Sequence, residues 1–177
     1  MEQLQNDLSS FAARIRDLCR LEGTFTLRSG RTATEYFDKY RFEGDPETLE
    51  EVARRMVRLI PQETEVLAGL EMGGIAVATM LSHFSRLPAA FVRKAAKPYG
   101  TARLCEGTAV EGRRVLVVED VVTSAGQVVT SVRDLRDLGG KVDHAVCVID
   151  REEGGSEALS QVGVRLTALL RRRDFSS

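Results

Sequence analysis

Two adjacent acids followed by a small, hydroxyl-rich loop form the most chemically suggestive stretch of this chain. Val115 to Val118 are apolar without alternation, as expected of a strand buried on both faces of a parallel sheet. Glu119 and Asp120 follow at the carboxyl end of that strand, where open α/β sheets bind ligands and carboxylates can accept hydrogen bonds from vicinal hydroxyls such as those of a ribose. Thr123 to Gln127 then offer hydroxyl donors, open backbone N–H groups and the N-terminus of a following helix, all suited to a monophosphate. The stretch therefore predicts a sugar-phosphate site rather than an ordinary polar turn.

Two further segments combine glycine or positive charge with a strand end. Glu71 to Gly74 lie between a predicted strand and a predicted helix, and the glycines allow a backbone to approach a second phosphate group closely. The strand that ends at Val92 is followed by a long segment without a helical pattern, and Arg93, Lys94 and Lys97 concentrate positive charge at its start. These cations predict contact with a polyphosphate, although a solvated basic loop is the commoner reason for such a run.

The composition limits the classes of function. Acidic and basic residues nearly balance, at 26 against 25, which argues against nucleic acid or a membrane surface as a partner through bulk charge. Cys19, Cys105 and Cys147 have no metal-type spacing, and their odd number favours reduced thiols. The N-terminus lacks the apolar core of a signal peptide, and no apolar run approaches the length of a membrane span. We therefore expect one cytoplasmic α/β domain over residues 1–177.

The hydrophobic pattern predicts strands and helices in regular alternation. Residues 4–21 repeat at helical spacing and predict an N-terminal helix ending near Gly23. Segments 24–27 and 36–42 predict a hairpin or small hood, and Asp45-Pro46 predicts the start of a helix that runs to about Ile60. The rest of the chain predicts strands at 66–70, 89–92, 115–118, 145–149 and 166–170, separated by helices at 75–86, 128–138 and 156–161. This order implies a central parallel sheet of about five strands flanked by helices.

Several segments resemble, in order and across nearly the whole chain, the orotate phosphoribosyltransferases, which are type I phosphoribosyltransferases. The segments are FTLRSGR (25–31), YFDK (36–39), GLEMGG (69–74), VRKAAKPYG (92–100), VVEDVVTSAG (117–126) and DREEGG (150–155). The resemblance implies the type I fold, with a hood formed by about residues 1–45 and the C-terminal end, and a long mobile loop. It also implies transfer of the 5-phosphoribosyl group from phosphoribosyl diphosphate (PRPP) to N1 of orotate, giving orotidine 5′-monophosphate and pyrophosphate in pyrimidine biosynthesis. Mg²⁺ would enter with the pyrophosphate rather than on protein ligands, and the mobile loop would reach across a homodimer.

The same resemblance implies roles for individual residues. It implies Lys97 and Asp120 as catalytic groups, and places the ribose hydroxyls on Glu119 and Asp120. The implied PRPP-binding set is Glu71, Met72, Gly73, Gly74, Arg93, Lys94, Lys97, Tyr99, Glu119, Asp120, Val121, Val122, Thr123, Ser124, Ala125, Gly126 and Gln127. The implied orotate-binding set is Arg28, Tyr36, Phe37, Thr123 and Arg151. A guanidinium fork suits the orotate carboxylate, so Arg151 is the expected determinant of base choice.

Some alternatives stay open at the level of sequence. Many members of the family have lysine where this chain has Arg28 and histidine where it has Tyr99, which puts the family's loop details in doubt. Arg151 could instead form a surface salt bridge with a neighbouring glutamate. A phosphoribosyltransferase for a purine or uracil would share the PRPP motif, because base choice depends on few residues. A PRPP-responsive regulator that binds nucleic acid is disfavoured by the balanced charge. His83 and His144 lie in no matched segment, so we predict no histidine general base.

Overall fold

The computed structural model describes residues 2–26, 30–95 and 104–175 of the protein. Its α-helices are α1 (Glu2–Cys19), α2 (Tyr40–Gly44), α3 (Pro46–Met56), α4 (Gly73–Ser85), α5 (Gly126–Asp137) and α6 (Gly155–Gln161). Its strands are β1 (Arg20–Thr26), β2 (Thr32–Phe37), β3 (Val66–Leu70), β4 (Ala89–Val92), β5 (Cys105–Gly107), β6 (Arg114–Val122), β7 (Lys141–Asp150) and β8 (Arg165–Arg171). Short 3₁₀ turns follow α3 at Val57–Leu59 and β8 at Arg172–Phe175.

The main sheet has the strand order β5-β4-β3-β6-β7-β8, and every pairing in it is parallel except that between β4 and β5. The predicted α/β fold with a parallel sheet is confirmed, and each of the five predicted strands is present. The sixth strand, β5, was not predicted, because three residues reading CEG carry no apolar periodicity. Strand β6 lies between β3 and β7, so its carboxyl end opens at the middle of the sheet.

Both faces of the sheet are buried, which explains the continuous apolar runs of its central strands. Alternate residues of each strand point to opposite faces. On one face, Leu116 and Val118 of β6 pack with apolar residues of α1, α3 and α4, and Phe42 of α2 belongs to the same core. On the other face, Val115 and Val117 pack with residues of α5 and with Leu159 of α6. Helices therefore hold β6 from both sides and fix the position of its carboxyl end.

The N-terminal region differs in its boundaries from the sequence-based expectation. Helix α1 ends at Cys19 rather than near Gly23, because Arg20–Thr26 pairs antiparallel with Thr32–Phe37. The predicted hairpin is therefore present, but its second strand ends at Phe37, and residues 40–44 form α2. The C-terminal turn closes this region: Arg16 donates a hydrogen bond to the Phe175 carbonyl (3.3 Å), and the Phe37 and Phe175 rings meet edge to face at 6.1 Å.

Helix α3 begins as its sequence predicts. The Asp45 side chain accepts a hydrogen bond from the Thr48 backbone N–H at 2.9 Å, and Pro46 occupies the first helical position. The α-helix ends at Met56, and the 3₁₀ turn continues it almost to the predicted end at Ile60. Among the helices in the described part of the chain, none combines the length and the apolar character needed to cross a membrane.

Candidate functional site

A cavity of about 410 Å³ opens at the carboxyl ends of β3 and β6. Residues from four chain segments line it: Lys39, Tyr40, Glu71, Met72, Lys94, Glu119, Val121, Val122, Thr123, Ser124, Ala125, Gly126, Gln127 and Val128. Most of the predicted PRPP-binding residues are thus brought to one place. We call this space the phosphate cavity. Two predicted members, Lys97 and Tyr99, lie outside the described residues, as does Arg28 of the predicted orotate set.

One end of the phosphate cavity is the loop between β6 and α5. Thr123, Ser124, Gly126 and Gln127 are exposed there, while Ala125 is buried and adopts a left-handed conformation with φ of 58°. A non-glycine residue rarely adopts that conformation, and such backbone strain is concentrated at ligand-binding sites. The turn starts α5 at Gly126, so the helix directs its unpaired N–H groups and positive dipole end at the cavity. This end can hold a phosphate monoester.

The other end is the loop between β3 and α4. The Glu71 backbone N–H donates to the Val92 carbonyl at 2.8 Å, and its side chain accepts from the Lys94 backbone N–H at 2.9 Å. Glu71 thereby joins the loop to the segment after β4, where Arg93 is half-buried and donates its backbone N–H to the Leu104 carbonyl at 2.9 Å. The Glu71–Met72 peptide bond is cis. A side chain at Gly74 would overlap the Val118 carbonyl, so α4 packs directly against the backbone of β6.

A buried charged cluster lies between the two ends. Asp120 is fully buried, and its Oδ2 atom forms an ion pair with Nζ of Lys39. Gly73 makes the space for this pair, because a Cβ atom there would overlap Oδ2 of Asp120 and would lie 2.5 Å from Oε1 of Glu43. Within the described residues, that buried Glu43 oxygen faces no assigned hydrogen-bond donor. Two carboxyl groups therefore meet beside one ammonium group.

The cluster stays electrically balanced because only one of its acids ionises readily. Burial opposes ionisation of Asp120, but hydrogen bonds from Glu119, Glu43 and Lys39 outweigh it and lower its pKa to about 2. Burial and the hydrogen bond to Asp120 raise the pKa of Glu43 to about 9, and the same two causes raise the pKa of Glu119. Burial disfavours the charge on Lys39, yet Asp120 and Glu119 raise its pKa. At neutral pH the Lys39 ammonium group thus faces the Asp120 carboxylate, while Glu43 beside them is protonated.

A second cavity, of about 440 Å³, lies beside the hairpin and contains three of the predicted orotate-binding residues, Tyr36, Phe37 and Arg151. We call it the base cavity; its other lining residues are Arg16, Arg20, Ala33 and Glu35. The Arg151 backbone N–H donates to the Val122 carbonyl at 2.9 Å, which links this cavity to the end of β6. Thr123, predicted to contact both ligands, lines the phosphate cavity. The Arg151 side chain lies 3.5 Å from Glu153, so the salt bridge weighed from sequence is present.

Sequence reasoning assigned no role to several residues that the structure places at these sites, among them Lys39, Tyr40, Glu43 and Arg16. Lys39 and Tyr40 line the phosphate cavity, Glu43 joins the charged cluster, and Arg16 lines the base cavity. Lys39 belongs to the YFDK segment, which resembles the family but carries no local pattern that predicts a role for the lysine. Arg16 lies on α1, whose pattern showed an amphipathic helix and nothing of what its polar face contacts.

The described residues do not bring together three or more His, Cys, Asp or Glu side chains as a possible metal site. A protein cage for a divalent cation is therefore not built in this part of the chain.

Comparison with known proteins gives a consistent set of relatives. No protein-family model matches the chain. Orotate phosphoribosyltransferase from Nocardioides sp. is 50% identical over 169 residues, covering 96% of this chain and 94% of the relative. The enzyme of the same name from Methanocella arvoryzae is 48% identical over 153 residues, covering 86% of this chain and 87% of the relative.

Solved structures give the same result. Mycobacterium tuberculosis orotate phosphoribosyltransferase in complex with Fe(III) dicitrate matches with a TM-score of 0.85 and 36% identity, covering 97% of this chain and 99% of that one. The same enzyme in complex with PRPP matches with a TM-score of 0.82 and 32% identity over the same shares.

Proposed function

The chain belongs to the orotate phosphoribosyltransferase family, and we propose that it transfers the 5-phosphoribosyl group from PRPP to N1 of orotate. The products are orotidine 5′-monophosphate and pyrophosphate, and the reaction is a glycosyl transfer of pyrimidine biosynthesis. The observation that supports this most directly is the phosphate cavity, where a phosphate loop, a strand-end glutamate, a second, glycine-bearing loop and Lys94 surround about 410 Å³. PRPP carries three matching groups: a 5-phosphate, a ribose and a pyrophosphate.

We propose the following placement of PRPP. Thr123 to Gln127 bind the 5-phosphate through exposed hydroxyl and backbone N–H groups. Glu119 faces the cavity and contacts the ribose hydroxyls. Asp120 was predicted as a second ribose ligand and catalytic group; because it is fully buried beside Lys39, direct contact requires its exposure when PRPP binds, and that role stays a prediction. Glu71 to Gly74, with Arg93, Lys94 and Lys97, bind the pyrophosphate.

The reaction requires positive charge held in a fixed position beside the pyrophosphate leaving group. As the bond between C1 and the pyrophosphate breaks, positive charge grows on the ribose ring and negative charge grows on the pyrophosphate. Preorganised cations stabilise that separation, and Lys97 is the proposed catalytic cation. Magnesium is proposed to enter as the counter-ion of the pyrophosphate, and it supplies further positive charge there. Ionised orotate carries its own nucleophilic nitrogen, so no strong general base is assigned.

Orotate is proposed to occupy the base cavity. Its carboxylate would pair with the Arg151 guanidinium, with Tyr36, Phe37, Arg28 and Thr123 around the ring. In the structure Arg151 is half-buried and lies near Glu153, so the ligand carboxylate would replace a partly exposed ion pair. Such a pair contributes little on its own, which makes the exchange favourable.

We further propose a homodimeric, cytoplasmic, single-domain enzyme in which the hairpin and the C-terminal turn form the hood over the base. The three cysteines are free, which suits a reducing compartment. The dimer predicts that a mixture of subunits carrying Lys97→Ala and subunits carrying Arg151→Ala, assayed at orotate concentrations that do not saturate the Arg151 variant, is more active than either variant alone, because the proposed shared loop brings Lys97 of one subunit to the site of the other. Mixtures no more active than the separate variants, or a monomer by light scattering, would contradict the shared site.

The experiment that tests the function follows the ultraviolet absorbance of orotate with PRPP and magnesium, beside uracil, hypoxanthine and adenine as competing bases. We expect orotate alone to be consumed. Consumption of another base in place of orotate would move the substrate assignment within the phosphoribosyltransferases. Binding of PRPP with no base consumed would favour a regulatory protein instead.

A further inference from the structure

Lys39 is a cation of the phosphate cavity, and the proposed placement of PRPP assigns it no role. It precedes α2, and its side chain is 31% exposed and lines the cavity together with Glu71, Lys94 and Glu119. The loop Glu71 to Gly74 is the proposed pyrophosphate side, and Lys39 lies at that side because its partner, Oδ2 of Asp120, lies against Gly73. Thr123 to Gln127 form the other side. The position of Lys39 therefore suits the leaving group better than the 5-phosphate.

The ammonium group of Lys39 is held in place by a buried carboxylate. Oδ2 of Asp120 is its ion-pair partner, and Asp120 is fully buried at the end of the rigid strand β6. A flexible lysine normally loses much side-chain entropy when a ligand orders it. Here the ion pair has already ordered the side chain, so less entropy is lost on binding. An ammonium group has three N–H donors, and a single carboxylate oxygen leaves donors for a ligand.

Glu43 leaves Lys39 paired with a single carboxylate, that of Asp120, because Glu43 itself is protonated. A second carboxylate beside Asp120 would compete for the ammonium group and leave a buried negative charge uncompensated. Burial and the hydrogen bond to Asp120 raise the pKa of Glu43 to about 9, so at neutral pH the protonated Glu43 carboxyl donates a hydrogen bond to the Asp120 carboxylate instead of competing for Lys39. Gly73 supplies the space in which these carboxyl groups meet.

We infer that Lys39 is a further substrate-binding residue, which contacts the pyrophosphate group of PRPP while Asp120 and Glu43 act as positioning residues for its ammonium group. This inference rests on the proposed use of PRPP but not on the choice of base. It assigns the buried Asp120 a role that needs no exposure of its carboxylate.

The test compares two fragments of the substrate. Isothermal titration calorimetry would measure binding of magnesium pyrophosphate and, separately, of ribose 5-phosphate to the full chain and to Lys39→Met. We expect the affinity for magnesium pyrophosphate to fall by about 10- to 100-fold, the loss typical of one charge-assisted contact, and that for ribose 5-phosphate to change by less than about threefold. Lys141→Met, an exposed lysine at the amino end of β7, is the control and should change neither.

A double variant separates binding from folding. Lys39→Met alone leaves Asp120 as a buried carboxylate without its cation, whereas Lys39→Met with Asp120→Asn removes both charges and keeps a side chain of nearly the same shape at residue 120. The inference requires the double variant to show the same selective loss of pyrophosphate affinity. Recovery of wild-type affinity in the double variant, an equal loss for both fragments in Lys39→Met, or no loss at all would overturn it.

The outcomes also distinguish this inference from the proposed function. A selective loss in Lys39→Met, found in a protein that consumes no orotate, would support the inference and contradict the choice of base. A wild-type chain that binds neither fragment would overturn both.

Discussion

The phosphate cavity and the base cavity hold their charges in opposite ways. In the phosphate cavity the charged groups are buried and coupled: Asp120 is 0% exposed, pairs with Lys39 and lies against Glu43. In the base cavity the charges are partly exposed and their partners are surface acids, as in the pair of Arg20 with Glu35 at 2.5 Å. One cavity is built into the sheet and its core, and the other is formed by side chains of the hairpin, α1 and a loop.

This difference implies different tolerances to change. A buried network is rigid, and removing one member leaves another group unsatisfied, so single substitutions have large effects. Exposed pairs contribute little to stability, and their arginines can change with little cost to the fold. We therefore expect the phosphate cavity to determine whether the protein works at all and the base cavity to determine which base it takes.

The largest effect is expected from Lys97→Ala, which removes the proposed catalytic cation of the phosphate side. Turnover should fall by about 100- to 1,000-fold, the loss seen when one preorganised charge-stabilising group is removed. The dissociation constant for PRPP should change much less, because Thr123 to Gln127 still bind the 5-phosphate. Steady-state kinetics with parallel calorimetry separates the two quantities, and Lys141→Ala is the control. Unchanged turnover in Lys97→Ala would contradict the catalytic role of Lys97.

A second substitution breaks the buried cluster through shape alone. In Gly73→Ala the added Cβ overlaps Oδ2 of Asp120 and lies 2.5 Å from Oε1 of Glu43, so the ion pair with Lys39 must move. Overpacking of this kind costs about 1–3 kcal/mol of stability. We expect a lower free energy of unfolding in urea and an affinity for PRPP about 10-fold weaker or more. Gly44→Ala, at a glycine with no left-handed backbone and open space around its Cβ position, controls for loss of a glycine in general.

Sequence patterns predicted the strands and loops that frame both cavities better than the side chains that reach them from distant parts of the chain. The run Val115 to Val118 predicted β6 and its acids because burial on both faces leaves a continuous apolar signal. The same reasoning missed Lys39 and Glu43, because they reach Asp120 from a different part of the chain and no local pattern records a contact across about 80 residues. Arg16 was missed for the same reason, since an amphipathic helix shows which face is apolar and not what its polar face meets.

The sequence predicted helix and strand boundaries wrongly where tertiary contacts override the local conformational preference of the residues. Leu21 continues the helical spacing of α1, yet it lies in β1 because its backbone pairs with Tyr36 of β2. Tyr40 and Phe42 are β-prone residues, and they lie in α2 because Phe42 is buried in the core on that face of the sheet. In both cases a tertiary contact decides between two locally acceptable states.

On the base side, Arg151→Ala is expected to raise the KM for orotate by about 10-fold or more and to leave the KM for PRPP nearly unchanged. The fold should be unaffected, because Arg151 is half-buried and its side chain pairs with Glu153 at 3.5 Å, close to the surface. Arg151→Lys should raise the KM for orotate less than Arg151→Ala does, because lysine keeps the positive charge but loses the bidentate geometry of the guanidinium group. The exposed Arg165 on β8, changed to Ala, is the control. Equal weakening of PRPP and orotate would contradict the separation of the two cavities.

The smallest effect distinguishes the cavities by their response to pH. Glu43 has a pKa of about 9 in the folded protein against an ordinary value of 4.5, chiefly because burial and the hydrogen bond to Asp120 favour its protonated form. Around it lie Asp120 and Glu119 of β6, Lys39 and Asp38 before α2, Arg41 of α2 and Cys19 of α1. Between the two pKa values the folded chain holds a proton that the unfolded chain has released. This contribution to stability is therefore complete below about pH 4.5 and is lost as the pH rises through about 9.

Glu43→Gln keeps a hydrogen-bond donor and cannot ionise, so its stability should fall less steeply with pH. The Tm of the wild type relative to that of the variant should drop between pH 6 and pH 9, by about 2–4 °C for each kcal/mol of stability lost, as measured by calorimetry. Both proteins retain Glu119, whose raised pKa gives each curve some slope, so the difference between the curves is the quantity that reports on Glu43. Parallel curves would mean that Glu43 is ionised across this range. The phosphate cavity would then hold a second buried carboxylate, and its ion pair with Lys39 would be shared rather than one to one.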